Sequence, residues 1–149
     1  MTNSQSHDIV DFRAELDVIR QKYGPRFHCQ ENAVIDAAAL WGAHCNTHGV
    51  LDQITEKISV RHKGYSATIR LYRTAIGYWH IALDFTAPDS GFCTPASVWS
   101  GIAYASDLAA RRAAVECLLN RRAVRVDGAD PRTFRAKLEA ELTPKLALF

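Results

Sequence analysis

The residues best suited to chemistry lie in the middle of the chain. In 65–73 and 78–85, apolar and polar side chains alternate. If Ile69, Leu71, Trp79, Ile81 and Leu83 face a core, then Thr68, Arg70, Tyr72, Tyr78 and His80 share the opposite face. Arg61 and Arg73 lie close by in sequence. Guanidinium groups pair phosphates and tyrosine rings stack bases, so this set matches sheet-borne recognition of single-stranded nucleic acid. Arg111, Arg112, Arg121, Arg122 and Arg125 follow in a second basic stretch. The competing readings are an ordinary solvated sheet face and a helix face whose arginine stems cover apolar neighbours.

Metal and thiol chemistry have weaker spacing. His28 and Cys29, then His44, Cys45 and His48, are five nitrogen and sulfur donors within 21 residues. Cys45 and His48 form one knuckle, and Cys29 could add a thiolate. Tetrahedral zinc modules carry two complete knuckles, and only one stands here. Cys93 would make a nucleophile only if His80 and Asp84 met it within hydrogen-bond reach. A thiol that behaves as a small apolar group is the alternative. The chain has no phosphate-binding glycine loop, dinucleotide fingerprint or His-Glu-x-x-His. The expectation is a binding protein rather than an enzyme, without a cofactor.

The elements that must position these residues can be read from periodicity. Ile9, Phe12, Leu16, Ile19 and Tyr23 form a helical stripe that Ser6 or Asp8 caps and Gly24-Pro25 ends. Val34, Ala37, Ala38 and Trp41 place a second helix over about 30–43. Leu51, Ile54 and Ile58 suggest a further helical turn or two. The period then falls to two, giving strands at 58–62, 65–73, 78–85 and 92–99, with a hairpin at 74–77. A helix over about 107–120 carries Leu108, Val115, Leu118 and Leu119. A last one begins with Asp130 as cap and Pro131 in its first turn. The predicted architecture is one α+β domain over 1–149: N-terminal helices at about 6–57, a three- to four-stranded antiparallel meander at about 58–99, and C-terminal helices at about 105–143. Its predicted core comprises Phe12, Leu16, Ile19, Val34, Trp41, Ile69, Leu71, Trp79, Ile81, Leu83, Phe85, Leu108, Val115, Leu119 and Phe134.

Composition sets the outer bounds. The chain has 149 residues, 48% of them apolar and 23% charged, which is enough to bury a core and unlike a disordered chain. No apolar run reaches the ~18 residues of a membrane span. The polar start at 1–7 lacks the pattern of a secretion signal. The expected setting is therefore cytoplasmic, with no membrane contact and with Cys29, Cys45, Cys93 and Cys117 as thiols. Net charge is +2, but unevenly spread. Residues 1–56 hold four Lys/Arg against eight Asp/Glu, and residues 57–149 hold fourteen against eight. An acidic front and a basic rear fit a polyanionic partner, nucleic acid or a nucleoprotein complex; a protein partner and self-association are the other expectations.

Two resemblances add context. Glu31-Asn32-Ala33-Val34-Ile35-Asp36-Ala37-Ala38 resembles a segment upstream of the metalloprotease-like domain in RadC-type proteins of plasmids and integrative elements. That family's His-x-His-Pro-Ser-Gly motif is absent, so the likeness implies a mobile-element setting and no shared activity. Accessory proteins of that setting include inhibitors of host defence, such as anti-restriction and anti-CRISPR proteins. The helix–strands–helix order also resembles a double-stranded-RNA-binding domain in layout. Ser106-Asp107-Leu108 stands where that family has a lysine cluster.

Overall fold

Alternation along 56–86 dictates the centre of the molecule. A computed structural model describes residues 8–119 except Lys63 and Asp89, together with residues 136, 137 and 140. In it, β2 (Glu56–His62), β3 (Tyr65–Arg73) and β4 (Trp79–Thr86) pair consecutively and antiparallel. The register aligns Ile58 with Ile69 and Ile69 with Leu83, so one side of all three strands is apolar. Helix α3 (Asp107–Leu119) lays Ala110, Ala114, Val115 and Leu118 on that side. The small alanines let the helix axis come close, as their spacing of three and four on one helical face requires.

The described elements are three α-helices, a short 3-10 turn at Phe27–Cys29 and a six-stranded antiparallel sheet. The fold is α+β, as expected, but the sheet is larger than a three- or four-stranded meander. The strand order is β1-β6-β4-β3-β2, where β1 is Ile9–Asp11 and β6 is Ile102–Tyr104. The outer edge of β4 serves two partners. Leu83–Thr86 pair with β5 (Gly91–Thr94), and Trp79 pairs with Tyr104 of β6.

Two sequence expectations are corrected here. Ile9 belongs to β1, and α1 runs Arg13–Tyr23 with Phe12 at its cap position and no side-chain cap bond. The N–H of Phe12 instead donates to the Gly101 carbonyl at 2.8 Å, so a long-range strand contact replaces the first helical turn. The proposed strand at 92–99 ends at Thr94, and 98–99 form a turn. The second helix is confirmed as α2, Glu31–Trp41, ending in Gly42 in the left-handed region that glycine reaches without strain. The last predicted helix, with Asp130, Pro131 and Phe134, lies outside the described residues.

The opposite side of the sheet is divided. Helices α1 and α2 pack Leu16, Val34, Ala37 and Trp41 over Tyr72, Ala82, Val98 and Ala103. Trp41 is fully buried, and its Nε1–H donates to the Val98 carbonyl at 2.9 Å. This layer stops at the cross-strand pair Arg70–Ala82. Beyond it, Ser66, Thr68, Asp84 and Thr86 stay half-exposed or exposed.

Candidate nucleic-acid and strand-docking interface

The predicted basic and aromatic face forms with the expected strand phase, but its centre is closed to solvent. Tyr72 and His80 are directly opposite each other, with 7% and 2% of their surfaces exposed. The indole of Trp41 stands edge-on to His80, with ring centroids 4.6 Å apart. Tyr78 is half-buried and meets Phe12 and Trp41 edge-to-face at 5.8 and 6.2 Å. These rings are core contacts, so the expectation that Tyr72, Tyr78 and His80 form a base-stacking surface is corrected. Burial pushes the Tyr72 hydroxyl pKa up. It depresses that of His80 to about 4, because no charged partner offsets desolvation. The His80 Nε2 has no hydrogen-bond partner.

The arginines separate in space. Arg70 is half-buried and ion-paired with Asp84, one register step along the same face. Arg61 is exposed on β2. Arg73 is exposed at the far end of β3, and its backbone N–H donates to Thr55 Oγ1 at 2.8 Å. Arg61 aligns with Ser66, seven residues from Arg73 along β3, which is roughly 23 Å at strand rise. Arg111 is only 3% exposed and bonds Glu56 and Asp107 between α3 and β2, so it is a packing residue and not a surface contact. Arg112 is exposed beside a cleft of about 370 Å³ lined by Ile9, Tyr104 and Ala109. Arg121, Arg122 and Arg125 lie outside the described residues.

What does converge is a polar half-face that sequence reasoning cut in two. Lys57, Ser59 and Arg61 of β2 are exposed, and they align with Arg70, Thr68 and Ser66 of β3. Ser59 and Thr68 hydroxyls are 3.3 Å apart. The next strand adds Asp84 and Thr86, and β5 adds Cys93 opposite Asp84. Lys57, Arg61 and Arg70 against Asp84 leave this surface cationic. Starting the strand at Ile58 hid Lys57. The alternation Lys57-Ile58-Ser59-Val60-Arg61 was the available signal.

The enzyme-like sets do not assemble. Cys93 pairs in register with Asp84, four residues along β4 from His80, so roughly 13 Å separates the two positions. Among the described residues, no group of three or more His, Cys, Asp or Glu could hold a metal ion. Cys29 is exposed and Cys45 half-buried, and His48 lies in a turn where Asn46 Oδ1 accepts the N–H groups of His48 and Val50. His44 Nδ1 instead meets Asp52 Oδ1 at 2.6 Å, a contact with no sequence signature. His44 borders a cleft of about 220 Å³ with Gln53 and Arg73 on its wall. Among the described residues, no helix is long and apolar enough to cross a membrane. No protein-family model matches the chain, and no curated protein and no solved structure matches it.

Proposed function

We propose that the protein is a non-enzymatic binding protein that takes the phosphate backbone of single-stranded nucleic acid across the uncovered half of its sheet. The observation that carries this reading is the convergence of Lys57 and Arg61 with the hydroxyls of Ser59, Ser66 and Thr68 on one sheet face, beside the Arg70–Asp84 ion pair. Lys57 and Arg61 neutralise phosphates, and the hydroxyls bond phosphate oxygens. With Tyr72 and Tyr78 engaged in the core, recognition rests on the backbone rather than on stacked bases, so binding is expected to tolerate sequence changes. A nucleoprotein complex presents the same phosphates. A role among mobile-element accessory proteins, including inhibitors of host defence, has only the octapeptide Glu31–Ala38 behind it.

The test is a salt titration with a labelled single-stranded oligonucleotide. Two neutralised phosphates give a log–log slope of about −1.4 for a single strand. Lys57→Glu with Arg61→Glu should flatten the slope and remove binding at low salt. A flat profile for the unaltered protein, or no binding at low salt, overturns the proposal.

A further inference from the structure

The β2 strand ends the sheet, and every second residue of it turns its main-chain groups away from β3. Three observations fix their direction. The Thr74 N–H donates to the Tyr78 carbonyl at 2.8 Å, so even-numbered β3 residues turn their main-chain groups toward β4. Pairs in an antiparallel ladder alternate, so odd-numbered β3 residues face β2, where their partners are Glu56, Ile58 and Val60. Lys57, Ser59 and Arg61 therefore present their N–H and C=O groups outward. The Arg61 carbonyl confirms the phase, because it accepts from Lys137 Nζ at 3.2 Å instead of from β3. Among the described residues, that ammonium is the one group that reaches this edge.

Among the described residues, the edge of the seven-residue β2 is open apart from Lys137, and such an edge is a template for strand pairing. Its side chains decide which strand fits. On the polar side, Lys57 and Arg61 flank Ser59; on the other, Ile58 and Val60 are buried in the core beneath α3. A second copy of β2 is a poor partner. The antiparallel pairing that aligns Ser59 with itself sets Lys57 opposite Arg61 twice, and like charges directly opposite are destabilising. The complementary strand carries carboxylates four residues apart, with a small polar residue between them and apolar residues at the intervening positions.

We propose that the β2 edge is a strand-addition site for an extended acidic segment of a partner protein, with the pattern acidic–apolar–small–apolar–acidic. Main-chain bonds to Lys57 and Ser59 and to the Arg61 N–H supply the pairing. The cations reject copies of β2 and select acidic strands, so one feature serves protection and specificity together. This inference rests on main-chain direction and does not depend on the nucleic-acid reading.

The test uses a cyclised β-hairpin whose free edge reads Glu-Val-Thr-Val-Glu, since cyclisation removes much of the ordering cost of binding. It should bind the full chain, and the same hairpin with lysine in place of glutamate should not. Ser59→Pro removes one outward N–H without touching a β2–β3 main-chain bond, and proline is tolerated on edge strands. It should abolish hairpin binding. Lys57→Glu with Arg61→Glu should weaken the hairpin roughly tenfold or more. Amide exchange provides a readout without mutation: the N–H groups of Lys57, Ser59 and Arg61 should become protected in the complex. Hairpin affinity unchanged by Ser59→Pro, no protection of those amides, or equal binding of the lysine hairpin would each overturn the proposal. A β2-mediated dimer in light scattering would do the same. Oligonucleotide binding lost in Lys57→Glu/Arg61→Glu with the hairpin never bound would sink this inference and leave the other reading standing.

Discussion

His80 shows how a side chain suited to a surface can become a stability sensor. Its imidazole is neutral inside the protein, with a pKa of about 4 against an ordinary 6.5. Between those values the unfolded chain binds a proton that the folded chain refuses. Stability is therefore full above about pH 7 and falls as pH drops through 6.5 toward 4. The shift corresponds to about 3 kcal/mol in total. His80→Leu keeps the volume and removes the proton acceptor. Urea midpoints measured from pH 7.5 to 4.5 should fall steeply for the unaltered protein and much less for this variant. Gly49 sets a second limit at this scale. Its φ is +83°, and a Cβ there would stand 2.8 Å from Cγ2 of the buried Val98. Gly49→Ala should lose at least about 2 kcal/mol, from left-handed strain and overpacking together, read as a lower urea midpoint at unchanged slope.

Among the elements, α3 and β2 are joined by charge as well as by apolar contact. Arg111, nearly inaccessible, bonds Glu56 of β2 and Asp107 one turn earlier in α3. Burial lowers the Arg111 pKa and raises that of Asp107. The Arg111 Nη1 has no partner, so the network is incompletely satisfied. Arg111→Met removes the cation that Glu56 and Asp107 share and should cost about 2 kcal/mol. Adding Glu56→Gln should recover most of that loss, and a double-mutant cycle by thermal unfolding measures the coupling. The same network explains part of what the sequence could not disclose. Arg111 and Arg112 are adjacent and chemically alike, yet one is in the interior and the other in water, because a helix turns 100° per residue. Periodicity alone placed Leu16, Val34, Trp41, Ile69, Leu71, Leu83, Phe85, Val115 and Leu119 correctly in the core. It missed Ala96, Val98, Ala103, Ala110 and Ala114, since small residues buried by close approach leave little periodic signal. The three-residue strands β1 and β6 are too short to show alternation. The strand phase at 65–86 was legible, but which half of that face a helix covers depends on where α1 and α2 dock, and no local pattern carries that.

At the level of the whole molecule, the charge imbalance acquires a position. Acidic residues of 8–52 belong largely to the layer over Tyr72 and His80, while Lys57, Arg61 and Arg70 stand past its boundary. The boundary at Arg70–Ala82 thus separates a covered, aromatic half from an open, hydroxyl-rich half of one sheet face. Binding at the open half should leave the environment of Trp41 undisturbed. In a Trp79→Phe/Trp99→Phe variant, which keeps Trp41 alone, tryptophan emission is therefore expected to stay constant through an oligonucleotide titration, and a shift in it would place the ligand elsewhere.

The pairing of Ile9–Asp11 with Ile102–Tyr104 has a consequence for how the chain comes to be made. On the ribosome, α1 and α2 emerge long before Val98 and Ala103, the residues that roof Trp41. Residues 13–41 must wait, apolar side uncovered, until Val98 and Ala103 have been translated. Nascent chains arrested before residue 96 should therefore be protease-sensitive around Leu16 and Trp41, and those released past residue 119 resistant there.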